Sequence, residues 1–580
     1  MNEGKAVTAA ADVLAGIWCE ILSVDRVQPD DDFFSLGGDS LLAVRVVGAA
    51  RERGLAISLL DLFKHPTPRG ACAALGAGAE GRDTDRRIEA ADPRSTERAA
   101  TSLLTPRDRA LVPEGAADVY PAGRMQLGLL YESLLSNGAL YVDVVSRTVR
   151  RSLRPDLLRQ ALDVLVDRHP ILRTRFDLGT FSQPMQVVEQ HVPLPVEVAD
   201  YRHVAERRRR DRHEEVMRGL ARPYDPETVP LMRVHAAALG PDRFRLSYSF
   251  HHAVMDGWSE AVFVSELVRV YDSLLRGVLP DLEKPLPYVE FIRLEQAAVR
   301  DTGSVRFLTD LRATVPVGTS APAAERAHRK VSAPVPRQDE ELLAAHSAAW
   351  GVPRKSLLLA ACAVAVGTVW DASAPVVGVL LNGRPESAGA DLTLGLFLNQ
   401  LPLRLPLDGA TWHSAACNAL AAENDLLPHR RFPYSELRTL LGGDAFDVTF
   451  NYVHFHPRDE MLAAGLLGVD EDMRDHTSLP VRVEALDDRH GHGLSVHITV
   501  DEAKFGVELA DRLLTVLLAA VHRLAVEPEA IAGAPCSVPA TSCPARHDVD
   551  TGTMTGTAGA GPGRTPVHGP GVDDVQENGS

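Results

Sequence analysis

A stretch of alternating polar and apolar residues runs directly into two adjacent histidines. In residues 243–250, aromatic and aliphatic side chains recur at every second position, which is the pattern of a β-strand with one buried face. If this strand continued unbroken, His252 would share the side of Phe250 and His251 would lie on the opposite side. One imidazole would then meet a substrate while the protein holds the other. Imidazole is the side chain best suited to moving a proton near neutral pH.

The two histidines begin a compact unit, His-His-x-x-x-Asp-Gly, which ends at Asp256 and Gly257. A histidine pair that ends a strand is more often structural than catalytic when nothing else accompanies it. The motifs described below shift that balance toward catalysis.

Composition excludes one large class of partner. The chain has 580 residues and a formal net charge of −17, whereas nucleic-acid binding requires clustered Lys and Arg. The only dense basic run, residues 207–210, continues into acidic residues and is interpreted as a solvated helix face. We therefore expect no nucleic-acid partner.

Cysteine usage and hydropathy indicate where such a chain resides. The six cysteines show no CxxC and no metal-type spacing, which is typical of a reducing cytosol. No apolar signal segment opens the chain. Residues 357–370 are too short to span a bilayer and predict a buried core helix. We expect a cytoplasmic protein with no metal site and no membrane contact.

Residues 1–76 read as a separate small domain. Apolar residues repeat at helical spacing over residues 14–21, and the Pro-Asp run at 29–32 ends that helix. Ser40 lies where a glycine-rich turn becomes a second helix, and a last short helix is predicted over 68–75. A serine there can simply cap the helix, but a helix N-terminus also accommodates a phosphate group.

Residues 31–41 resemble the signature of peptidyl carrier proteins almost letter for letter, and the resemblance covers the whole of residues 1–76. It implies an all-α carrier, a four-helix bundle, with 4′-phosphopantetheine attached covalently to Ser40 by a phosphopantetheinyl transferase. Leu41 and Val44 are candidates either for contacts with partner domains or for the carrier core.

Two segments lack any sustained apolar period. Residues 77–118 are interpreted as an interdomain linker. Residues 536–580 contain a stretch rich in Gly, Thr and Pro and end in acidic residues, so we expect a disordered tail. A docking role for this tail is the alternative.

Residues 119–535 resemble one nonribosomal peptide synthetase condensation domain from end to end. The resemblance rests on five stretches, namely residues 120–131, 168–176, 251–259, 288–291 and 395–404. It is weaker at 428–434, which lacks the usual Gln-Asp pair, and at 447–452. The implied fold is α/β, with two chloramphenicol acetyltransferase-like lobes that we place at 119–285 and 286–535. Strands alternating with amphipathic helices favour the α/β class independently.

The resemblance implies attack of an amine on a carrier-bound thioester. His252 is expected to act as the general base or as the acceptor that positions the amine. The backbone N–H of Gly257 is a candidate oxyanion donor. Trp258, Ser259 and Asn399 are candidates for lining the substrate tunnel.

Four further residues are expected to have structural roles at the active site. His251 is the imidazole that the protein holds. The resemblance implies that Asp256 forms a salt bridge with an arginine of the second motif, residues 168–176. Arg168 is the first choice and Arg173 the second. Bidentate Arg–carboxylate geometry suits the fixing of a loop. The alternative is that Asp256 activates a histidine as in a catalytic triad.

The order of the two domains predicts the partners. Because the carrier precedes the condensation domain, it is expected to deliver the donor in cis. No adenylation motif appears in the sequence, so a separate adenylation enzyme or an upstream synthetase protein is expected to charge Ser40. The acceptor is either a free amine or a group on another carrier protein, and release of the product to a free amine is one interpretation. A hydroxyl acceptor would give an ester.

Two other functions compete with condensation. An epimerization domain shares the fold and the histidine pair, and residues 450–452 faintly resemble one. A catalytically inactive domain that only recruits a partner is the second. The intact His252, Asp256 and Gly257 argue against inactivity.

Overall fold

The computed structural model describes residues 3–22, 24–38, 40–77, 103–138, 140–278, 280–310, 328–454, 456–488 and 493–532. The predicted tail at 536–580 and most of the predicted linker lie outside the described residues.

Within the described residues, the first domain is built from helices around one core. They are α1 (Glu3–Leu22), α2 (Ser40–Glu52), α3 (Leu59–Lys64) and α4 (Pro68–Ala77). Trp18 is fully buried and meets Phe33 edge to face, with ring centroids 4.9 Å apart. Ser58 begins α3 with a capping box that it shares with Asp61. The expected all-α carrier of four helices is confirmed.

The second domain begins inside the segment predicted as linker. Asp108 belongs to a short helix, α5 (Pro106–Arg109), and accepts hydrogen bonds from the backbone and hydroxyl of Ser182. Leu104 packs with Val119 and Met185 in a small core. Residues 103–118 therefore belong to the second domain, and the boundary predicted at 118 lies too late in the chain.

The first half of the second domain supplies the N-terminal lobe. Its helices are α6 (Arg124–Leu135), α7 (Pro155–Arg168), α8 (Glu206–Leu220) and α9 (Gly257–Leu275). Its strands are β1 (Ala116–Pro121), β2 (Val142–Val149), β3 (Thr174–Asp177), β4 (Met185–Glu189), β5 (Val196–Asp200), β6 (Met232–Ala238) and β7 (Phe244–His251). The basic run at 207–210 lies largely exposed on α8, as expected.

The second half supplies most of the C-terminal lobe. Its helices are α10 (Val289–Arg300), α11 (Thr302–Asp310), α12 (Arg337–Trp350), α13 (Arg354–Trp370), α14 (Trp412–Leu426), α15 (Tyr434–Leu441), α16 (His456–Ala463), α17 (Glu502–Phe505) and α18 (Leu509–Val526). Its strands are β8 (His328–Pro334), β9 (Val376–Asn382), β10 (Leu398–Arg404), β11 (Val448–Val453), β12 (Leu467–Arg474), β13 (Val481–Asp488) and β14 (Gly493–Asp501). Six of these strands form one sheet, in the order β10-β9-β11-β13-β14-β8.

Helix α13 is the buried core helix predicted from its hydropathy. Its side chains from Ser356 to Gly367 are buried. In the described part of the chain, no single helix is long and apolar enough to cross a membrane. Helices α12 and α13 meet the length and composition only as a pair, and the pair is bent by 113° at its break.

The chain crosses between the lobes, so a single division at residue 285 does not separate them. Strand β12 pairs antiparallel with β2, with Leu467 opposite Val149 and Arg474 opposite Val144. It thereby forms the edge of the N-terminal sheet, which runs β12-β2-β7-β6-β5. This pairing covers the edge of β2, which would otherwise expose unpaired backbone groups. The residues after β12 consequently reach the junction of the lobes. The two-lobed α/β fold itself is confirmed.

Candidate active site

The histidine pair lies where β7 ends at the lobe junction. His251 is the last residue of the strand, and its N–H donates to the carbonyl of Leu231 at 3.1 Å. His252 already lies in the following turn, with its N–H bonded to the carbonyl of Tyr141 at 2.8 Å. The strand therefore ends before His252, whereas the simple alternation assumed that it would continue. One imidazole is nevertheless enclosed and the other accessible, because His251 is 1% exposed and the side chain of His252 is 23% exposed.

His251 is held within the turn by its own ring nitrogen. Its Nδ1 accepts a hydrogen bond from the N–H of Ala253 at 3.1 Å. Burial, together with the neighbouring His252, lowers the pKa of His251 to about 3. The ring is therefore neutral at physiological pH and acts as a fixed acceptor.

His252 has a carboxylate partner that the motif does not contain. Asp143 Oδ2, on β2, lies 2.8 Å from His252 Nδ1, although off the line of a ring N–H bond. Burial lowers the pKa of His252, but the carboxylate of Asp143, with Asp256 and Asp475 further away, raises it more, and the net pKa lies above its ordinary value. The contact is therefore mainly an attraction between the carboxylate and the imidazolium form.

Tyr141 fixes the turn of His252 against the C-terminal lobe. Its φ of 65° is in the left-handed region, a conformation that surrounding contacts must maintain in a bulky residue. Its N–H donates to the carbonyl of His476 at 2.8 Å, and its hydroxyl donates to Glu132 and lies 2.6 Å from the hydroxyl of Ser478. Neither Tyr141 nor Asp143 was found from the sequence. The local signal was an acid among the apolar residues at the start of β2.

Asp256 anchors the start of α9. Its Oδ1 caps the helix by accepting from the N–H of Ser259 at 2.8 Å, and its Oδ2 accepts from the N–H of Phe397 at 3.1 Å. The ion-pair partner is Arg384, whose Nη2 lies 3.2 Å from Asp256 Oδ1. Both side chains are almost completely buried. Asp256 therefore has the structural role that was expected, but with a different arginine.

Neither arginine of the second motif reaches Asp256, which corrects that expectation. Arg168 ends α7 and pairs with Glu266, with Nε 3.0 Å from Oε2. Glu266 lies ten residues along α9 from Asp256, about 15 Å at the rise of an α-helix. The guanidinium of Arg173 binds the carbonyls of Val166 and Glu189. Both arginines therefore stabilise the N-terminal lobe away from the histidines.

Arg384 joins the two lobes beneath the active site. Its Nη1 donates to the carbonyls of Ala390 and Thr393 at 2.9 and 2.6 Å. Its Nη2 donates to Asp256 and to the hydroxyl of Ser259 at 2.8 Å. A buried guanidinium that loses its carboxylate is expensive, so the start of α9 and the loop after β9 are held as one unit.

Of the three tunnel candidates, Trp258 and Asn399 line the cavity between the lobes, whereas Ser259 is buried. Ser259 is fully buried, and its hydroxyl donates to the carbonyl of Gly395 at 2.8 Å while accepting from the N–H of the same residue at 3.1 Å. Its predicted tunnel role is therefore corrected to a structural one. Trp258 lines the cavity between the lobes, with its indole N–H bonded to the carbonyl of Asp391 at 2.8 Å.

Asn399 and Gly257 also line this cavity. Both ends of the Asn399 side-chain amide bind backbone groups. Nδ2 donates to two carbonyls, and Oδ1 accepts from the N–H of Tyr434 at 3.0 Å. Asn399 therefore shapes the wall without a free hydrogen-bonding group. Gly257 is the first residue of α9, where N–H groups have no acceptor within the helix.

The interlobe cavity connects the carrier with His252. It has a volume of about 1880 Å³. Its wall includes Phe34, Gly37 and Gly38 of the carrier as well as His252 and Asp143 of the second domain. The histidine that is exposed is therefore the one that lines a cavity whose wall the carrier shares.

The carrier turn fits a phosphopantetheine attachment site. Gly37 has a φ of 96°, and a Cβ on Gly38 would lie 2.4 Å from the ring of Phe33, so both positions require glycine. The turn leads into α2 at Ser40, and the first N–H groups of a helix favour a phosphate. Among the described residues, no group of three or more His, Cys, Asp or Glu is placed to hold a metal ion.

Comparisons with known proteins agree with this arrangement. Residues 12–75 match the family described as phosphopantetheine attachment site, and residues 116–540 match the condensation domain. The chain is 34% identical over 511 residues to the AMB antimetabolite synthetase AmbE of Pseudomonas aeruginosa, covering 86% of this chain and 24% of that protein. It is 26% identical over 494 residues to the malpinin synthetase of Mortierella alpina, covering 79% of this chain and 6% of the relative. The chain thus spans only a minor part of these relatives.

Solved structures share the fold. The first condensation domain of the calcium-dependent antibiotic synthetase, in complex with a substrate analogue, is 22% identical with a TM-score of 0.60, covering 72% of this chain and 99% of that one. The condensation domain from the Monacolin K polyketide synthase MokA is 17% identical with a TM-score of 0.61, at the same coverage of 72% and 99%. The chain belongs to the condensation-domain family and carries a phosphopantetheine attachment domain ahead of its condensation domain, the arrangement of a nonribosomal peptide synthetase carrier–condensation didomain.

Proposed function

We propose that this chain condenses an acyl or peptidyl thioester, presented by its own carrier domain, with an amine acceptor to form an amide bond. The observation that carries the proposal is the interlobe cavity, whose wall runs from the glycine turn before Ser40 to the exposed imidazole of His252. A tethered substrate needs such a path, and a domain that only recruits a partner has no use for it.

Ser40 is the proposed attachment residue. Phosphopantetheine on this serine supplies a flexible arm and a terminal thiol that carries the acyl donor as a thioester. The protein provides the helix N-terminus at the base of the arm and, in Phe34, an apolar side chain where the cavity begins.

His252 is the proposed proton acceptor. The acceptor nitrogen forms a bond to the thioester carbonyl carbon, the carbon–sulfur bond breaks, and the nitrogen loses a proton to the imidazole. The departing sulfur takes up a proton and leaves as the thiol. Asp143 next to Nδ1 favours a proton on that nitrogen, which leaves Nε2 as the acceptor, and it stabilises the imidazolium that forms.

The N-terminus of α9 is the proposed site for the negative charge that develops on the carbonyl oxygen. Gly257 lies there and lines the cavity. Helix N-termini stabilise anions through N–H groups that have no acceptor in the helix. Asp256 and Arg384 hold this helix start in place.

The proposed partners follow from the chemistry. A phosphopantetheinyl transferase installs the arm, and a separate adenylation enzyme or an upstream synthetase protein charges it. The acceptor is a free amine or an amine on another carrier protein, and release of the product to a free amine is the terminal form of the reaction. The proposed location is the cytoplasm, where these activated substrates are made.

The test uses the full chain. A phosphopantetheinyl transferase loads aminoacyl-pantetheine from a panel of aminoacyl-CoA compounds, and intact mass spectrometry then locates the adduct. Loaded protein is mixed with a panel of primary amines, and amide products are measured. Wild type should load and transfer, Ser40→Ala should not load, and His252→Ala should load but transfer slowly. Loss of donor only by hydrolysis, with no amide from any amine, would contradict the proposal. Conversion of the loaded L-aminoacyl group to its D form without an amine would instead show an epimerase.

A further inference from the structure

The carrier rests on a particular segment of the C-terminal lobe. Arg45 Nε lies 3.0 Å from Asp391 Oδ2, and Arg51 Nη1 donates to the carbonyl of Glu386 at 2.9 Å. Between them, a Cβ on Gly48 would lie 3.1 Å from the backbone of Ser387. These three carrier residues are spaced three apart in α2 and therefore occupy one face of the helix.

The segment from Glu386 to Asp391, here called the docking segment, is held in place by two arginines of the C-terminal lobe. The side chain of Glu386 is 6% exposed, and its carboxylate pairs with Arg430 and with Arg431, whose Nη2 lies 2.6 Å from Oε2. Arg431 also donates to the carbonyls of Gly383 and Arg384 at 2.9 and 3.0 Å. A surface that is already ordered loses little conformational entropy when a partner docks.

The same segment reaches the active site from its other side. The carbonyl of Ala390 accepts from Arg384, which holds Asp256, and the carbonyl of Asp391 accepts from the indole of Trp258. The side chain of Asp391 thus meets the carrier while its backbone supports the cavity wall. Docking and catalysis share one short stretch of chain.

The two kinds of contact between the domains differ in selectivity. Leu427 packs against the apolar core of the carrier, and such a contact is available to any carrier of similar shape. Charges distinguish partners more sharply, because a like charge in place of an opposite one is repelled. The side chains of Arg45 and Asp391 are 41% and 16% exposed, so solvent screens one side of the pair more than the other.

We propose that the docking segment recognises the cationic face of α2 and that the Arg45–Asp391 pair selects the chain's own carrier over carriers without a cation at that position. This inference rests on the proposed function in one respect, that the docked carrier presents the donor.

The test reverses the two charges in the full-length chain. Arg45→Asp and Asp391→Arg should each lower the single-turnover rate of amide formation from the Ser40-loaded donor by about fivefold, as expected for repulsion at a partly exposed pair. The double variant should recover to within about twofold of wild type. Arg53→Asp is the matched control, because Arg53 pairs with Glu20 inside the carrier, and it should stay within about twofold.

A second donor separates docking from chemistry. A soluble acyl-pantetheine thioester needs no carrier, so Arg45→Asp should use it as fast as wild type does. Wild-type rates from the loaded donor in both single variants would overturn the proposal, as would a double variant no better than either single one.

A third readout does not depend on turnover. If wild type forms no amide from either donor, the proposed function fails, and hydrogen exchange of residues 386–391 then decides the docking proposal alone. Protection should fall in Arg45→Asp and return in the double variant. Equal protection in all variants would overturn it.

Discussion

Asp143, on β2, faces His252, in the turn that follows β7, with Asp143 Oδ2 2.8 Å from His252 Nδ1. Strand β2 pairs antiparallel with β7, so that Asp143 stands opposite Phe250, two residues before His252. The turn after β7 then brings the imidazole back over the acid. The pair lies in the wall of the interlobe cavity, so the acid influences the group proposed to take the proton of the acceptor amine.

The Asp143 carboxylate should govern the pH dependence of condensation. A general base works when it has lost its proton, so the rate should rise with pH as His252 deprotonates. Burial lowers the pKa of His252, and the carboxylates led by Asp143 raise it above its ordinary value. Asp143→Asn removes the largest of these charges, so the acidic limb of the rate profile should move to lower pH. Single-turnover rates across pH measure this, and an unchanged limb would show that Asp143 does not act through His252.

Removal of the imidazole should slow the reaction without unfolding the protein. His252→Ala deletes a partly buried ring that lines the interlobe cavity, so the space it leaves adds to that cavity. Loss of a general base costs about 10²–10⁴ in rate, and we expect condensation to fall in that range. The melting temperature and the loading of Ser40 should match wild type. Amide formation at the wild-type rate would refute the role of His252.

Asp256 should matter for stability as well as for activity. Asp256→Ala leaves Arg384 buried without its counter-charge, which costs about 3–5 kcal/mol of unfolding free energy. A double-mutant cycle identifies the partner. Asp256→Ala and Arg384→Met should show strong coupling in denaturant unfolding, whereas Asp256→Ala and Arg168→Met should add, because Arg168 pairs with Glu266. Additive effects of Asp256 and Arg384 would contradict the observed pair.

Glu295 should make the protein less stable at alkaline pH. Burial raises the pKa of Glu295 to about 7, above its value in the unfolded chain, about 4.3. The folded state therefore holds the proton more tightly, and stability is lost as pH rises through the folded pKa. Glu295→Gln keeps an acceptor for the N–H of Arg124, which Glu295 binds at 2.9 Å. It should raise the unfolding free energy by on the order of 1–3 kcal/mol at pH 8 and change it little at pH 4. A gain of equal size at both pH values would rule out this explanation.

Local patterns predicted several elements of both domains. The glycine turn before Ser40, the strand that delivers the histidine pair and the buried helix over residues 357–370 each depend on residues close together in sequence. The structure places all three as expected, except that β7 stops at His251. The turn at His252 depends on a hydrogen bond to the carbonyl of Tyr141. The alternation of polar and apolar residues within the strand does not indicate that bond.

Contacts between distant residues were beyond the reach of a single sequence. The motif arginines Arg168 and Arg173 were reasonable partners for Asp256 by type, but the position of Glu266 on α9 directs Arg168 elsewhere. Ser259 was assigned to the tunnel, and the structure uses its hydroxyl to hold Gly395. The type of a side chain determines which bonds it is able to make. The packing of the helices determines which of those bonds it does make.

The amino-acid order by itself indicated two domains and the α/β class through short-range spacing and hydropathy, and it indicated the carrier serine and the imidazole unit through their resemblance to known motifs. Tertiary structure alone decided which acid lies beside His252 and which arginine pairs with Asp256. It also decided that β12 returns to the N-terminal sheet and that α2 contacts the docking segment. Those relations join residues far apart in the chain, and only the folded packing of both lobes brings their charges within a few ångströms of one another.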